Sequence, residues 1–229
     1  TKGGVGKTVI STNLACALSK QHGLDTILVD LDLQFGDCGI LLQLAPERTI
    51  RDAVAAFDRL DEALLDGFLE RHAASGVRAL LAPVQPEEAE AVTTNRVDRI
   101  LEMLCGMADV VVIDTPAAFN DVVLTALDKS DMVYAVATMD VASIKNTHIS
   151  LRKLEQLGYA DGMTHLALNR ADSKVWLQSS EVENVLGRPV SVRIPSDRLV
   201  PRSVNKGVPI VLDEPRSAVA RALSTIAED

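Results

Sequence analysis

The stretch TKGGVGKT, residues 1–8, decides how the 229-residue chain is to be read. Gly3, Gly4 and Gly6 lack the Cβ that blocks close approach, so successive backbone N–H groups around Val5 can turn toward a single anion. From Lys7 the segment KTVISTNLACALSKQHG carries apolar residues at helical spacing and stops at Gly23. The helix it predicts aims its positive N-terminal end at the same anion. Lys7 then reaches the β and γ phosphates of a nucleotide, and the Thr8 hydroxyl is placed to ligate Mg2+. A glycine-rich turn with a chance lysine is the bland alternative, disfavoured by the length of the match and the helix behind it. The general pattern GxxxxGK(S/T) asks for glycine where Thr1 stands, so this is a variant loop, and it brings a further cation, Lys2.

Outward from the loop, apolar strands alternate with amphipathic helices. DTILVDLD reads as a buried strand ending in Asp30 and Asp32. VRALLAP is followed by a helix through RVDRILEMLCGM, then the strand DVVVIDTP, a helix near DVVLTALDKS and the strand DMVYAVAT. A helix over ASIKNTHISLRKLEQLG, the strand MTHLALNR, a helix before Gly187, the strand PVSVRIP and a closing helix over SAVARALSTIA complete the series. This alternation predicts an α/β fold of three layers, a mostly parallel sheet with helices on both faces, and ligands at the carboxyl ends of its strands. Residues 45–76 read less clearly, as two short helices joined by polar turns. One domain over residues 1–229 is expected, and because a phosphate loop normally follows a buried strand, a further strand and an upstream extension are expected before Thr1.

Composition narrows the function classes. A hydrophobic content of 47% supports one well-buried core, and a net charge of −9 supplies no global attraction to nucleic acid or anionic lipid. Cys16, Cys38 and Cys105 are odd in number, far apart and without CxxC spacing, which argues against a metal site or a disulfide framework and for a reduced, cytoplasmic setting. No apolar run approaches a membrane span, and the acidic ending AED counts against a basic membrane-binding helix.

The strand-end carboxylates carry the remaining chemistry. Asp30 and Asp32 stand where the ligand belongs, to orient an attacking water, hold the Mg2+ shell, or simply cap the next segment. Asp114 closes VVVID in the manner of a Walker B strand that delivers its acid to Mg2+-bound water. Asn169 and Arg170 follow a strand end, where an amide has the donor and acceptor for an adenine edge or forms a turn. His22, His72, His148 and His165 read as surface or helix-end histidines, Trp176 beside Lys174 as local packing, and Arg188, Arg193, Arg198 and Arg202 as a strip diluted by nearby acids.

KGGVGKT resembles the loop of the deviant-Walker ATPases of the ParA and MinD group, P-loop NTPases of the SIMIBI type, and the resemblance extends along nearly the whole chain. LVDLDLQFGD, RPVSVRIPSD and NKGVPIVLDEPRSAVARAL look most like the CpaE and TadZ branch of pilus assembly. The resemblance implies ATP and Mg2+ as cofactors, a nucleotide-dependent homodimer, and Lys2 crossing the interface to the partner's phosphates beside Lys7 in cis. It implies Asp32 as the water-activating residue, with Thr8, Asp30 and Asp114 serving the metal. It implies Asn169 and Arg170 at the base with the turn from Pro195 to Asp197 closing over it, and Asp140 in the region of dimer contact. Val9 replaces a hydroxyl residue common in relatives and leaves only its backbone N–H for the nucleotide. A positional output is implied, recruiting a pilus or secretion partner at a cell pole or inner-membrane assembly. The rival readings are a nucleoid-binding partition protein, a MinD-like membrane-cycling division regulator, and a scaffold that binds nucleotide without turning it over.

Overall fold

The structure, a computed structural model, describes residues 2–159, 161–173 and 179–228. Thr1 and the Lys174 and Trp176 pair lie outside the described residues. Strand β1 (Thr26–Asp30) is buried along its whole length, as its apolar sequence TILVD demands of a strand covered on both faces. It pairs in parallel with β3 (Arg78–Leu80) on one side and β4 (Val110–Asp114) on the other. The two-residue β2 (Glu70–Arg71) pairs antiparallel with β3 and gives the ladder order β2-β3-β1-β4. A second ladder, all parallel, runs β5 (Val133–Thr138), β6 (Thr164–Asn169), β7 (Val192–Ile194). The mostly parallel sheet expected from the alternation is present, with an antiparallel edge the sequence did not disclose.

The period of two along each strand sorts side chains onto two faces. On one face Leu28, Ala79, Val112, Val136, Ala167 and Val192, drawn from both ladders, form a single core with α1 (Lys7–His22), α10 (Ile210–Asp213) and α11 (Ala218–Ile226). One helical layer therefore spans both ladders. On the other face Ile27, Val29 and Leu80 pack on α3 (Ile50–Ala55), α4 (Glu62–Asp66) and α5 (Thr94–Met107). There too Ala135, Ala137, Leu166 and Leu168 pack on α7 (Val141–Gln156) and α8 (Ser179–Leu186). The helix α1 buries small and apolar residues most of the way round, from Ile10 to Leu18, because it is enclosed by the sheet and its neighbouring helices. It ends at Gly23, whose positive φ of 71° closes the helix through a backbone bond to Leu18.

Three further elements were not foreseen: α2 (Cys38–Leu41), α9 (Leu199–Lys206) and α10. Residues 45–76 do hold two short helices, α3 and α4, capped by Thr49 and Asp61. The crossover from β4 to β5 passes through α6 (Asp121–Asp128). Among the described residues β4 pairs only with β1, and β5 only with β6. Between their facing edges lies a slot of about 590 Å3 lined by Val110 to Asp114 of β4, Tyr134 and Val136 of β5, and Leu14 and Leu18 of α1.

The histidine reading needs one correction. His72 is not at the surface: it is buried, with Nδ1 2.7 Å from Ser75 Oγ and 4.0 Å from Cys16 Sγ. The tight turn from His72 to Val77 draws the ring inward beneath α1. Of the arginines, Arg193 pairs with Glu183 at 2.7 Å and Arg188 donates to the Thr164 carbonyl, so neither is a bare cation facing solvent.

Candidate nucleotide site

Parallel register brings the carboxylates together. Asp30 and Asp114 end neighbouring strands as direct register partners, and the Leu31 N–H donates to the Asp114 carbonyl at 2.9 Å, which locks the two ends side by side. Both side chains are buried. Burial foremost, and then the charge of Asp114, pushes the Asp30 carboxyl up to about 7, even though its oxygens accept the backbone N–H groups of Asp32 and Cys38. Burial likewise raises Asp114, against the Thr8 hydroxyl, which donates to its Oδ2 at 2.7 Å, and the charge of Lys7.

The glycine-rich loop stands over this pair. Gly6, at φ 97°, forms the turn into α1, and its carbonyl accepts the Ile10 N–H as the first bond of the helix. A Cβ at Gly6 would come within 2.5 Å of Asn169 Nδ2. That amide donates to the Val5 carbonyl at 2.8 Å while its oxygen accepts the Arg170 N–H, so Asn169 clamps the loop onto the end of β6. Gly3 and Gly4 are exposed, and Lys7, Thr8 and Val9 are half-buried at the head of the helix.

A second cavity, about 550 Å3, opens beside the loop. Gly6, Val9, Asn169, Arg170, Pro195 and Asp197 all line it. The turn that carries Pro195 is held by the Ser196 N–H donating to Asp172 at 2.6 Å, and Asp197 accepts the Leu199 N–H at 2.9 Å to start α9. Asp32 is half-buried in the loop that leaves β1, with its backbone N–H on Asp30. Lys2 is exposed and forms an ion pair with Asp140 at 3.4 Å. Asp140 is itself the N-cap of α7, accepting the Thr138 hydroxyl and the Ser143 N–H, which hold its carboxyl below the usual range.

Every site residue named from the sequence and described in the structure lies at or just beyond the carboxyl ends of β1, β4, β5, β6 and β7, or on the glycine-rich loop and the first turn of α1. Gly36 escaped the sequence reading, and the reading that set Cys38 aside from any metal-ligating group needs a correction. Cys38 lies with Asp30 and Asp114, its Sγ 3.9 Å from Asp114 Oδ2. Gly36 faces Asp30 so closely that an added Cβ would meet Oδ2 at 2.5 Å. Their only sequence signal is position, a few residues beyond the DLD of β1.

A glycine-rich loop at the head of a buried helix, with a Thr8–Asp114 pair beneath it and a cavity alongside, has the features of a nucleotide-binding α/β protein. Residues 1–210 match the CobQ/CobB/MinD/ParA nucleotide binding domain, and the chain belongs to that family. It is 26% identical over 233 residues to the septum site-determining protein MinD of Synechocystis, covering 99% of this chain and 85% of that one. A ParA family ATPase from Chlorobium tepidum superposes with a TM-score of 0.92 at 28% identity, over 99% of this chain and 95% of the other. The septum site-determining protein MinD of Pyrococcus horikoshii, solved with Mg-ADP, shares the fold with a TM-score of 0.86 at 24% identity, over 100% and 91%.

The donor set fits a divalent cation. Two buried carboxylates pressed together, each disfavoured as an anion by burial, and a hydroxyl already turned to one of them gain from a positive charge between them.

Proposed function

We propose that this chain is a Mg2+-dependent ATPase that works as a nucleotide-gated dimeric switch. The observation that carries the reading is the Thr8–Asp114 hydrogen bond of 2.7 Å beneath the loop, with Asp30 in register beside it. The loop amides and Lys7 bind the phosphates, while Thr8, Asp30 and Asp114 hold the cation. Bound Mg2+ would neutralise charge on the phosphate oxygens. Asp32, in the half-buried loop beyond β1, orients the attacking water. Asn169, Arg170, Pro195 and Asp197 enclose the base in the cavity they share.

What the same edge exposes supports dimerisation. Phe35, Phe119 and Val141, in loops or at a helix start beyond β1, β4 and β5, are 74%, 39% and 74% exposed. A second copy seated over the nucleotide would cover them. Lys2 pairs with Asp140, the neighbour of Val141, through an exposed ion pair worth less than about 1 kcal/mol, which a partner's phosphate outcompetes. The test uses ATP binding, size in solution and phosphate release on one set of samples. Lys7→Ala is expected to lose ATP binding. Lys2→Ala is expected to keep binding but lose the ATP-dependent dimer and at least about tenfold in turnover. Wild-type chain that binds ATP and neither dimerises nor releases phosphate would overturn the switch in favour of a nucleotide-binding scaffold.

The process served is read from resemblance. LVDLDLQFGD and NKGVPIVLDEPRSAVARAL support a pilus-assembly role of the CpaE and TadZ kind, and the septum-site proteins among the relatives support a MinD-like role equally. A fluorescent fusion separates them by place: pole or secretion assembly for the first, division site for the second, nucleoid for a partition protein. The net charge of −9 weighs against the last.

A further inference from the structure

Cys38 begins α2 at the inner wall of the nucleotide site, fully buried. Its backbone N–H donates to Asp30 Oδ2 at 3.1 Å, and its Sγ stands 3.9 Å from Asp114 Oδ2. One side-chain ligand atom from each of Asp30, Cys38 and Asp114 lies within 4.8 Å of the other two. A four-coordinate cation with bonds of about 2.0–2.3 Å holds its ligands roughly 3.5 Å apart, so small side-chain rotations close this trio around one ion. The Thr8 hydroxyl adds an oxygen beside the trio, hydrogen-bonded to Asp114 at 2.7 Å.

We propose that Cys38 converts this corner into a mixed sulfur and oxygen site that binds a thiophilic divalent cation of the zinc, cadmium or cobalt kind. The ligands are Cys38 Sγ and the carboxylates of Asp30 and Asp114. The proposal rests on the reading of those two aspartates as the metal residues and deepens it. Mg2+ demands oxygen ligands in near-octahedral array and leaves the thiol aside, whereas softer cations gain from it, so Cys38 decides which ions compete for the site. Binding exchanges the S–H bond for a sulfur–metal bond and releases the proton to solvent, with no change of oxidation state. The other cysteines are placed elsewhere: Cys16 beside His72, and Cys105 exposed on α5. The loop between β1 and α2, with Gln34, Phe35 and Asp37 exposed, gives the ion a route in.

The experiment titrates Co2+ into the nucleotide-free chain and follows the near-ultraviolet sulfur-to-cobalt charge-transfer band. Wild type is expected to develop the band to saturation at one ion per chain. Cys38→Ser and Cys38→Val, each shown folded by circular dichroism, are expected to lose it, and Cys16→Ser and Cys105→Ser to keep it. Cadmium affinity is expected to fall in the Cys38 variants by more than the about tenfold that loss of even an outer-shell partner costs. No band in wild type, a band that survives in either Cys38 variant, or one that disappears with Cys105→Ser overturns the proposal. Mg2+-dependent binding of a fluorescent ATP analogue on the same samples separates the two readings. Analogue binding without a cobalt band removes only the thiol site, and no analogue binding in wild type removes the nucleotide reading itself.

Discussion

At the scale of single residues, Gly36 shows how tightly the carboxylate pair is packed. An added Cβ would meet Asp30 Oδ2 and the Ala82 Cβ, each at 2.5 Å, so one methyl group forces the buried acid to move. Gly36→Ala is expected to cost about 1–3 kcal/mol in urea unfolding. Gly3→Ala, where a Cβ meets nothing within 4 Å, is expected to stay within about 0.5 kcal/mol of wild type. Equal losses at the two positions would show that the Asp30 contact does not control the difference. The loop glycines and Lys7 were legible because their spacing is itself the signal. Gly36 was not, since nothing local marks a glycine whose neighbour is a side chain from a strand already left behind.

At the scale of elements, the turn that follows β2 buries His72 under α1, and burial holds its imidazole below the ordinary 6.5. Above that value the ring is neutral in both folded and unfolded chain, and its full contribution to stability is present. As pH falls below 6.5 the unfolded chain takes up the proton first, so this contribution is lost toward the lower folded pKa. The urea midpoint of wild type is therefore expected to fall from pH 7.5 to 5.5 by more than that of His72→Asn. A His72→Asn slope equal to wild type would remove His72 as the cause. The β2 edge and the turn beyond it were invisible beforehand because two residues carry no period. β2 pairs with β3 where Arg71 meets Arg78, whose side chain is buried against Asp25, Asp66 and the Met107 carbonyl, contacts that only the folded chain assembles.

At the scale of the whole molecule, the slot between β4 and β5 interrupts an otherwise continuous sheet. β1 is buried throughout, while Val110, Val111 and Ile113 of β4 remain partly exposed on the side of the slot. A single helical layer nevertheless spans both ladders. We propose that the slot accommodates a further parallel strand leading into the phosphate loop, on the strength of its place between β4 and β5 and of the partly exposed β4 residues that line it. A chain extended before Thr1 by five valine and isoleucine residues is expected to gain at least about 4 °C in Tm and to protect β4 and β5 amides from hydrogen exchange. A proline-interrupted extension of equal length is expected to do neither, and equal gains from both would refute the strand.

The sequence by itself determined the α/β alternation, the phosphate loop, the strand-end acids and the two short helices within residues 45–76, because each is written in local spacing or period. The tertiary structure alone decided that Asp30 and Asp114 face each other, that Asn169 clamps the loop through Val5, that Lys2 rests on Asp140, and that Cys38 joins the carboxylates. The physical reason is range. Period and glycine chemistry act over a few residues, whereas these contacts join side chains far apart in the chain and exist only after parallel register has aligned the strand ends.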